Sequence, residues 1–243
     1  MDTLKTLTSG SSLDIDKNID EILSVLSEIE SVPKPKSEED DGKEEEKKKE
    51  EILPREKWSQ IFSIAGRKRK LTRDSKCLGI IINNLFGMEK TTTLDLSGMV
   101  WITDTVLKRI GDALEDADTL GEITTVNVDM CRGISFECLL DSVLSKADNL
   151  KHFSCRFCTQ FTGSKIEKMC NYPTLLSSVD FSGLNNLSDL FLARFFYVFP
   201  SIKVLKLNYL TNLSNNVFKI TSEKLPSLNC LEVSFCNPQL SIE

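Results

Sequence analysis

Between residues 91 and 243 the chain repeats one pattern six times. The copies read TTTLDLSGMVWIT from 91, ITTVNVDMCRGIS from 123, LKHFSCRFCTQFT from 150, LSSVDFSGLNNLS from 176, IKVLKLNYLTNLS from 202 and LNCLEVSFCNPQLS from 228. Their fourth positions, Leu94, Val126, Phe153, Val179, Leu205 and Leu231, follow at intervals of 32, 27, 26, 26 and 26 residues. Such a period predicts a strand, a turn and a helix per copy, with each copy covering the apolar face of its neighbour.

A cysteine pair inside the third copy raises the question of a metal site. Cys155 and Cys158 form a C-x-x-C motif beside His152, the one histidine of the chain. A tetrahedral zinc site needs four ligands, and the six other cysteines contain no second C-x-x-C motif. Both cysteines align with mostly apolar positions of the other copies, so we expect inert core thiols and no metal. We expect His152 to be a surface residue of the strand, without a catalytic role.

The repeats share cysteine or an aliphatic residue at the ninth position and Ser or Thr where the helix begins. In this they resemble the cysteine-containing subfamily of leucine-rich repeats, over residues 91 to 243. The resemblance implies an α/β fold, in which about six repeats form a right-handed solenoid with a parallel sheet on its concave face.

Residues 52 to 90 carry a second ordered set of features. A Leu-Pro entry is followed by an Ile-Phe pair, a Leu after a polar loop and a lone Cys, all before the first repeat. This order resembles an F-box, and Trp58 lies on the same helical face as the Ile-Phe pair. The resemblance implies three short helices with an exposed apolar face that binds a Skp-family adaptor. The implied adaptor-binding residues are Leu53, Pro54, Trp58, Ile61, Phe62, Leu71 and Cys77. The alternative is a plain helical cap over the open end of the repeats.

Residues 1 to 51 form a third region. Residues 14 to 32 place Ile15, Ile19, Ile22, Leu23, Leu26 and Ile29 on one stripe, which predicts an amphipathic helix. This helix either docks a partner or folds back on its own protein. Residues 33 to 51 are almost entirely charged or polar, which predicts a disordered acidic linker, and we expect residues 1 to 52 as a whole to form a mostly mobile, acidic N-terminal tail. The GRKRK run at 66 to 70 is either a nuclear-import signal or a solvated loop.

Composition and motifs exclude several classes of function. The chain has no phosphate-binding glycine loop, no G-x-S-x-G and no H-E-x-x-H, so we expect neither catalysis nor a cofactor. Residues 1 to 52 carry 16 acids and 8 bases within a total charge of −6, so the rest is close to neutral and offers no electrostatic case for nucleic acid. No signal peptide or long apolar run indicates secretion or a membrane, which favours the cytoplasm or nucleus.

The expected function is the substrate-recognition subunit of a Skp-cullin-F-box ubiquitin ligase, which binds a target protein through its repeats. Its partners would be the Skp-family adaptor, the cullin ligase core and the target. The alternative is a non-catalytic scaffold of a larger assembly. On the strands and turns of the later repeats, aromatic residues lie near bases, a composition typical of binding hot spots. The predicted partner-binding residues are Arg156, Phe157, Lys206, Tyr209 and Phe235.

Overall fold

The structure, a computed structural model, describes residues 2–31, 53–68, 77–86, 91–184 and 186–236. Its contacts divide the chain into two compact units, Met1–Met88 and Glu89–Glu243. Within the described ranges, no helix is long and apolar enough to cross a membrane.

The first unit is helical. Its elements are α1 (Asp2–Thr8), α2 (Ser12–Ser31), α3 (Arg55–Arg67) and α4 (Cys77–Phe86). The predicted stripe of α2 is buried at Ile15, Ile19, Ile22 and Leu26, and α2 packs against both α3 and α4. Of the two alternatives for this helix, the structure therefore shows the one in which it folds back on its own protein.

Two expectations for this unit need correction. Residues 2–31 are helical and packed, so they do not belong to a disordered tail; the charged run from 33 to 51 lies outside the described residues. Where three helices were expected after residue 52, the described residues form two, because Leu85 and Phe86 end α4 instead of beginning another helix. The domain boundary at residue 52 stays a prediction.

The second unit is built on six parallel strands in sequential order. They are β1 (Thr93–Asp95), β2 (Thr125–Asn127), β3 (His152–Ser154), β4 (Ser178–Asp180), β5 (Val204–Lys206) and β6 (Cys230–Glu232). The register pairs Leu94 with Val126, and then Phe153, Val179, Leu205 and Leu231 in turn. These are the six predicted fourth positions, so the parallel α/β sheet is confirmed.

A helical segment follows each of the first five strands. The α-helices are α5 (Asp104–Asp116), α6 (Phe136–Ser142), α7 (Gly163–Ile166), α8 (Asp189–Val198) and α9 (Asn216–Lys224), with 3₁₀ turns at Leu120–Glu122, Leu144–Lys146 and Glu167–Asn171. The side chains at the fourth and sixth positions of the first five repeats are at most 1% exposed. Burying each such side chain stabilises the fold by about 1.5–3 kcal/mol.

Hydrogen bonds between consecutive helix starts reinforce this stacking. The Asp104 carboxylate in the first turn of α5 accepts from both the backbone N–H and the hydroxyl of Ser135, at 2.6 and 2.8 Å. Asp189 in α8 accepts from Ser214 in the same way. In both cases a Ser that lies one or two residues before a helix ties its repeat to the preceding one.

Candidate protein-binding surface

One residue just after each strand adopts a left-handed backbone conformation. The six equivalent residues have φ between +55° and +75°: Gly98, Met130, Phe157, Gly183, Tyr209 and Phe235. In a non-glycine residue this conformation costs about 1–2 kcal/mol. Three of the four bulky side chains at these positions remain largely in solvent, since Met130 is 46%, Tyr209 41% and Phe235 75% exposed.

Three of these residues form a contiguous set of rings, which we call the aromatic row: Phe157, Tyr209 and Phe235. The rings of Tyr209 and Phe235 stack with centroids 4.9 Å apart and planes within 5°. Phe157 lies two strands away from Tyr209, yet their centroids are only 5.6 Å apart. Gly183 makes this possible, because a Cβ there would lie 2.2 Å from Cδ1 of Phe157.

The predicted basic residues of this surface are each paired with an acid. Arg156 Nε lies 3.6 Å from Asp180 Oδ2, and its guanidinium carbon is 5.9 Å from the Phe157 ring centroid. Lys206 Nζ lies 2.8 Å from Glu232 Oε1. The hydrogen bond between them raises the pKa of Lys206 and lowers that of Glu232. The aromatic row is therefore flanked by balanced ion pairs rather than by free positive charge.

The side chains at the third and fifth positions of each repeat form the open face of the sheet. A depression of about 200 Å³ lies on it, lined by Thr125, Val126, Asn127, His152, Phe153, Ser154, Ser178, Asp180 and Lys206. His152 is exposed there, as expected for a surface residue. The polar lining offers hydrogen-bond donors, acceptors and both signs of charge, which suits a polar side chain of a bound protein.

Sequence reasoning missed the structural importance of Asp129, which is only 9% exposed. Its Oδ1 accepts hydrogen bonds from the Ser154 hydroxyl and, at 2.8 Å, from the backbone N–H of Arg156. Burial raises the pKa of this carboxyl above its usual value, and the neighbouring Asp180 raises it further. Asp129 thereby holds the backbone that precedes Phe157. The only signal in the sequence was a carboxylate at the seventh repeat position.

The cysteine pair is buried at inward positions, as predicted. Cys155 and Cys158 are both 0% exposed, and burial raises the pKa of Cys158 to about 12. The Cys158 thiol donates to Val128 O at 3.0 Å, and Cys131 donates to Leu96 O at the same distance. In both pairs, the thiol of a ninth-position cysteine donates a hydrogen bond to the backbone carbonyl of the sixth residue of the preceding repeat. Within the described ranges, no three His, Cys, Asp or Glu side chains group so as to hold a metal ion.

The implied adaptor-binding residues are placed differently from what the resemblance led us to expect. Leu53, Trp58, Ile61 and Phe62 are at most 3% exposed, and α3, which carries the last three, packs against both α2 and α4. Pro54 is exposed. Leu71 and the Cys77 side chain lie outside the described residues, although Cys77 begins α4.

Polar contacts hold α3 to the region of α1 and α2. Lys57 Nζ donates to Gly10 O at 2.5 Å, and Lys68 Nζ lies 2.7 Å from Asp16 O and 3.1 Å from its carboxylate. Trp58 Nε1 is buried and has no hydrogen-bond partner among the described residues. The apolar face of α3, which the resemblance led us to expect on the surface, is therefore packed against other helices of the first unit.

Comparison with solved structures finds a similar fold in a protein complex. A chain of the crystal structure of the Rad7 and Elc1 complex in yeast superposes with a TM-score of 0.54 and 19% sequence identity. The match covers 68% of this chain and 42% of that chain, so it spans less than half of the similar protein. No protein-family model matches the sequence, and no curated protein matches it significantly. At this identity the likeness shows the fold alone.

Proposed function

We propose that this chain is a non-catalytic protein-recognition subunit that holds a target at the aromatic row and the adjoining open face. The observation that carries the proposal is the stack of Tyr209 and Phe235, whose rings are packed on each other yet 41% and 75% exposed. Stacked rings are rigid anchors, and aromatic residues and Arg dominate binding hot spots. The ion pairs beside them satisfy the neighbouring charges, so a partner would not have to desolvate an isolated one.

We further propose that this subunit serves a Skp-cullin-F-box ubiquitin ligase, in the cytoplasm or the nucleus. Two facts support this role. The Leu-Pro, Ile-Phe and Cys features of residues 53 to 77 follow the order of an F-box before a set of leucine-rich repeats. The chain of similar fold belongs to a complex of Rad7 with Elc1, which is compatible with a role inside a multi-protein assembly. A Skp-family adaptor and the cullin core would then be its constitutive partners.

Target binding is tested by removing two rings together. Tyr209→Ala with Phe235→Ala removes the stack without touching the core, and loss of a single anchor typically costs about 2 kcal/mol or more of binding free energy. The matched control is Tyr197→Ala, because Tyr197 is 76% exposed on α8, away from the aromatic row. The unmodified protein, the double variant and the control are each used for affinity purification followed by mass spectrometry. We expect the target protein to be recovered with the unmodified protein and the control but not with the double variant. An unchanged partner list in that variant contradicts the proposal.

The ligase role is tested separately on the intact chain. Co-purification of a Skp-family adaptor and a cullin with the unmodified protein is the expected result, and it is independent of the aromatic row. A stable complex that contains neither protein contradicts the ligase role.

The second candidate is a scaffold subunit without a ubiquitin ligase, and one observation favours it. Leu53, Trp58, Ile61 and Phe62 are buried in a unit in which α3 packs against both α2 and α4, so an adaptor could reach them only after these helices moved apart. A variant in which α2 is held in place by a covalent bond distinguishes the ligase role from the scaffold role. A cysteine pair that joins α2 to α4, placed at positions with suitable Cβ separation, is expected to abolish adaptor binding under oxidation if the ligase role is right. The same oxidation leaves target binding intact under either role.

A further inference from the structure

The seventh repeat position has a structural role that a neutral side chain can fill. In three repeats, the side chain at this position accepts a hydrogen bond from the seventh-position backbone N–H of the next repeat. Asp129 accepts in this way from Arg156 at 2.8 Å. Ser182 accepts from Asn208 at 3.2 Å, and Asn208 accepts from Ser234 at 2.7 Å. Since serine and asparagine make the same contact, the contact alone does not explain a carboxylate at residue 129.

The charge of Asp129 is not balanced by a direct ion pair. Its side chain is 9% exposed, and burial raises its pKa, as does the nearby carboxylate of Asp180. Arg156 opposes this shift, but its guanidinium lies against Asp180, and no cation of the described residues pairs with Asp129 itself. The hydrogen bonds from Ser154 and Arg156 both go to Oδ1, which leaves Oδ2 open to solvent and without a donor in the described part of the chain. A largely buried charge without a cation lowers stability, so its retention calls for a reason outside the fold.

Carboxylates outnumber cations on the side of the sheet that carries Asp129. Third-, fifth- and seventh-position side chains share this side, because they alternate with buried ones. In the first four repeats their charged members are Asp95, Asp129, Asp180 and Arg156, which are three carboxylates and one cation. Two lysines adjoin these strands without restoring the balance. Lys206 lines the depression, but its Nζ is held by Glu232 at 2.8 Å, and Lys151 precedes β3 and does not line the depression. Charge complementarity therefore favours a positively charged group of a partner.

The surroundings of Asp129 have room for one long side chain. Asn127 and Ser154 both hydrogen-bond to Asp129, and both line the depression of about 200 Å³ on the open face. That volume is below the roughly 300 Å³ at which pockets for small molecules begin, so it suits a single side chain. Met130, the next residue, is 46% exposed, and a methionine side chain packs readily on the hydrocarbon stem of a lysine or arginine.

We propose that Asp129 binds the cationic end of a Lys or Arg side chain of the target protein, whose stem lies over Met130 and the depression. The cation would donate to Oδ2 and supply the missing positive charge, while Oδ1 keeps its two hydrogen bonds. Residue 129 thereby gives the surface a preference for a basic residue. The inference rests on the proposed function, because the occupant is part of the same target that is held at the aromatic row.

Blocked tripeptides test the charge preference without the target. The probes are acetyl-Gly-Arg-Gly-amide, acetyl-Gly-Lys-Gly-amide and the neutral acetyl-Gly-Gln-Gly-amide, each titrated into the full chain. NMR detects the weak binding of a single side chain, and we expect the amide signals of Ser154 and Arg156 to shift. The Arg and Lys probes are expected to bind about tenfold more tightly than the Gln probe, because hydrogen bonds to a charged group are strong where it is partly buried.

Three variants assign the preference to Asp129. Asp129→Asn keeps an oxygen at Oδ1, as Asn208 has, and removes the charge, so the Arg and Lys probes are expected to bind no better than the Gln probe. Asp112→Asn is the matched control, because it makes the same change in net charge at an exposed position of α5 and is expected to have no effect. Arg156→Gln removes the competing cation and is expected to strengthen binding of the Arg probe about two- to threefold. Circular dichroism of each variant confirms that the chain is folded.

Several results would overturn the inference. Equal affinities for the Arg and Gln probes would do so, as would an Asp129→Asn variant that keeps the preference or an Arg156→Gln variant that binds the Arg probe more weakly. Tighter binding of the Arg probe after the four basic residues at 67 to 70 are changed to Gln would assign the face to a segment of this chain. Probe binding that weakens as the protein concentration rises would assign it to a second copy.

Failure of this inference can be told apart from failure of the proposed function. The Tyr209→Ala, Phe235→Ala variant is expected to bind the Arg probe as the unmodified chain does, because it leaves Asp129 in place. If that variant still recovers the target, the aromatic row is not the site, whatever the probes show. If it loses the target but Asp129→Asn recovers it undiminished, the target places no basic residue at Asp129, and this inference alone is refuted.

Discussion

Replacing Gly183 with Ala tests how the aromatic row is built. Gly183 has φ +75° and lies between Phe157 and Tyr209, and a Cβ there would be 2.2 Å from Cδ1 and 2.5 Å from Cε1 of Phe157. The obstacle to this Cβ is a ring, so the Phe157 side chain has to move away. Its contact with Tyr209, at 5.6 Å between centroids, is then lost.

The expected cost has two parts. Alanine in the left-handed region costs about 1–2 kcal/mol. Loss of an aromatic pair adds about 0.5–1.5 kcal/mol. Gly98→Ala is the matched control, because Gly98 occupies the same repeat position at φ +71° and a Cβ there would meet nothing within 4 Å. We therefore expect Gly183→Ala to destabilise the protein by about 0.5–1.5 kcal/mol more than Gly98→Ala.

Urea unfolding followed by circular dichroism measures this difference, with equal slopes showing that both variants unfold alike. Gly183→Ala is also expected to weaken target binding, whereas Gly98→Ala leaves it unchanged. Equal unfolding free energies for the two variants would refute the idea that Gly183 is needed for the approach of Phe157. Equal target binding by the Gly183→Ala and Gly98→Ala variants would show that target binding does not require the contact between Phe157 and Tyr209.

Further predictions concern a buried acid, the thiols and the N-terminal unit. Because the folded-state pKa of Asp129 is raised, its ionised form lowers stability at neutral pH, and protonation relieves this as pH falls. The unfolding free energy of the unmodified chain, relative to that of Asp129→Asn, is therefore expected to rise between about pH 7 and about pH 4; a flat difference contradicts the burial effect. With its pKa raised to about 12, Cys158 is expected to resist thiol reagents in the native state, while exposed Cys230 reacts; mass spectrometry of labelled peptides tells them apart. Ile19→Ala is expected to destabilise the first unit by about 2–5 kcal/mol in hydrogen exchange, whereas exposed Lys17→Ala has little effect.

The register of the sheet could be predicted because each copy places apolar residues at fixed offsets, and a one-residue slip would turn them to the other face. The helices were harder to predict. After β3 the α-helix spans only Gly163–Ile166 and continues as a 3₁₀ turn over Glu167–Asn171. Local propensity does not distinguish these two forms, because packing against neighbouring repeats decides how tightly each segment winds.

The candidate surface was predicted in part, and the reason is again physical. Alignment of the copies put Phe157, Tyr209 and Phe235 on equivalent turn positions, but it could not show that Phe157 leans over Gly183 to reach Tyr209. Amphipathicity predicted that α2 buries one face, but it could not show that α2 packs against α3 and α4. A periodic pattern states which side chains are buried; the surface that buries them depends on tertiary structure.

The left-handed turn itself argues for a function outside the chain. Gly98 and Gly183 show that glycine, which fits this conformation without strain, is compatible with the turn. Met130, Tyr209 and Phe235 hold the same conformation at a cost of about 1–2 kcal/mol each. Burial within the chain does not fully offset that cost, because these side chains are 41% to 75% exposed. Strained residues of this kind cluster at binding sites, where contacts with a partner explain why they are retained. In the first five repeats, the backbone N–H of the left-handed residue donates a hydrogen bond to a carbonyl of the following repeat. The backbone therefore fixes the position of this residue, and any side chain at that position can be used to contact a partner.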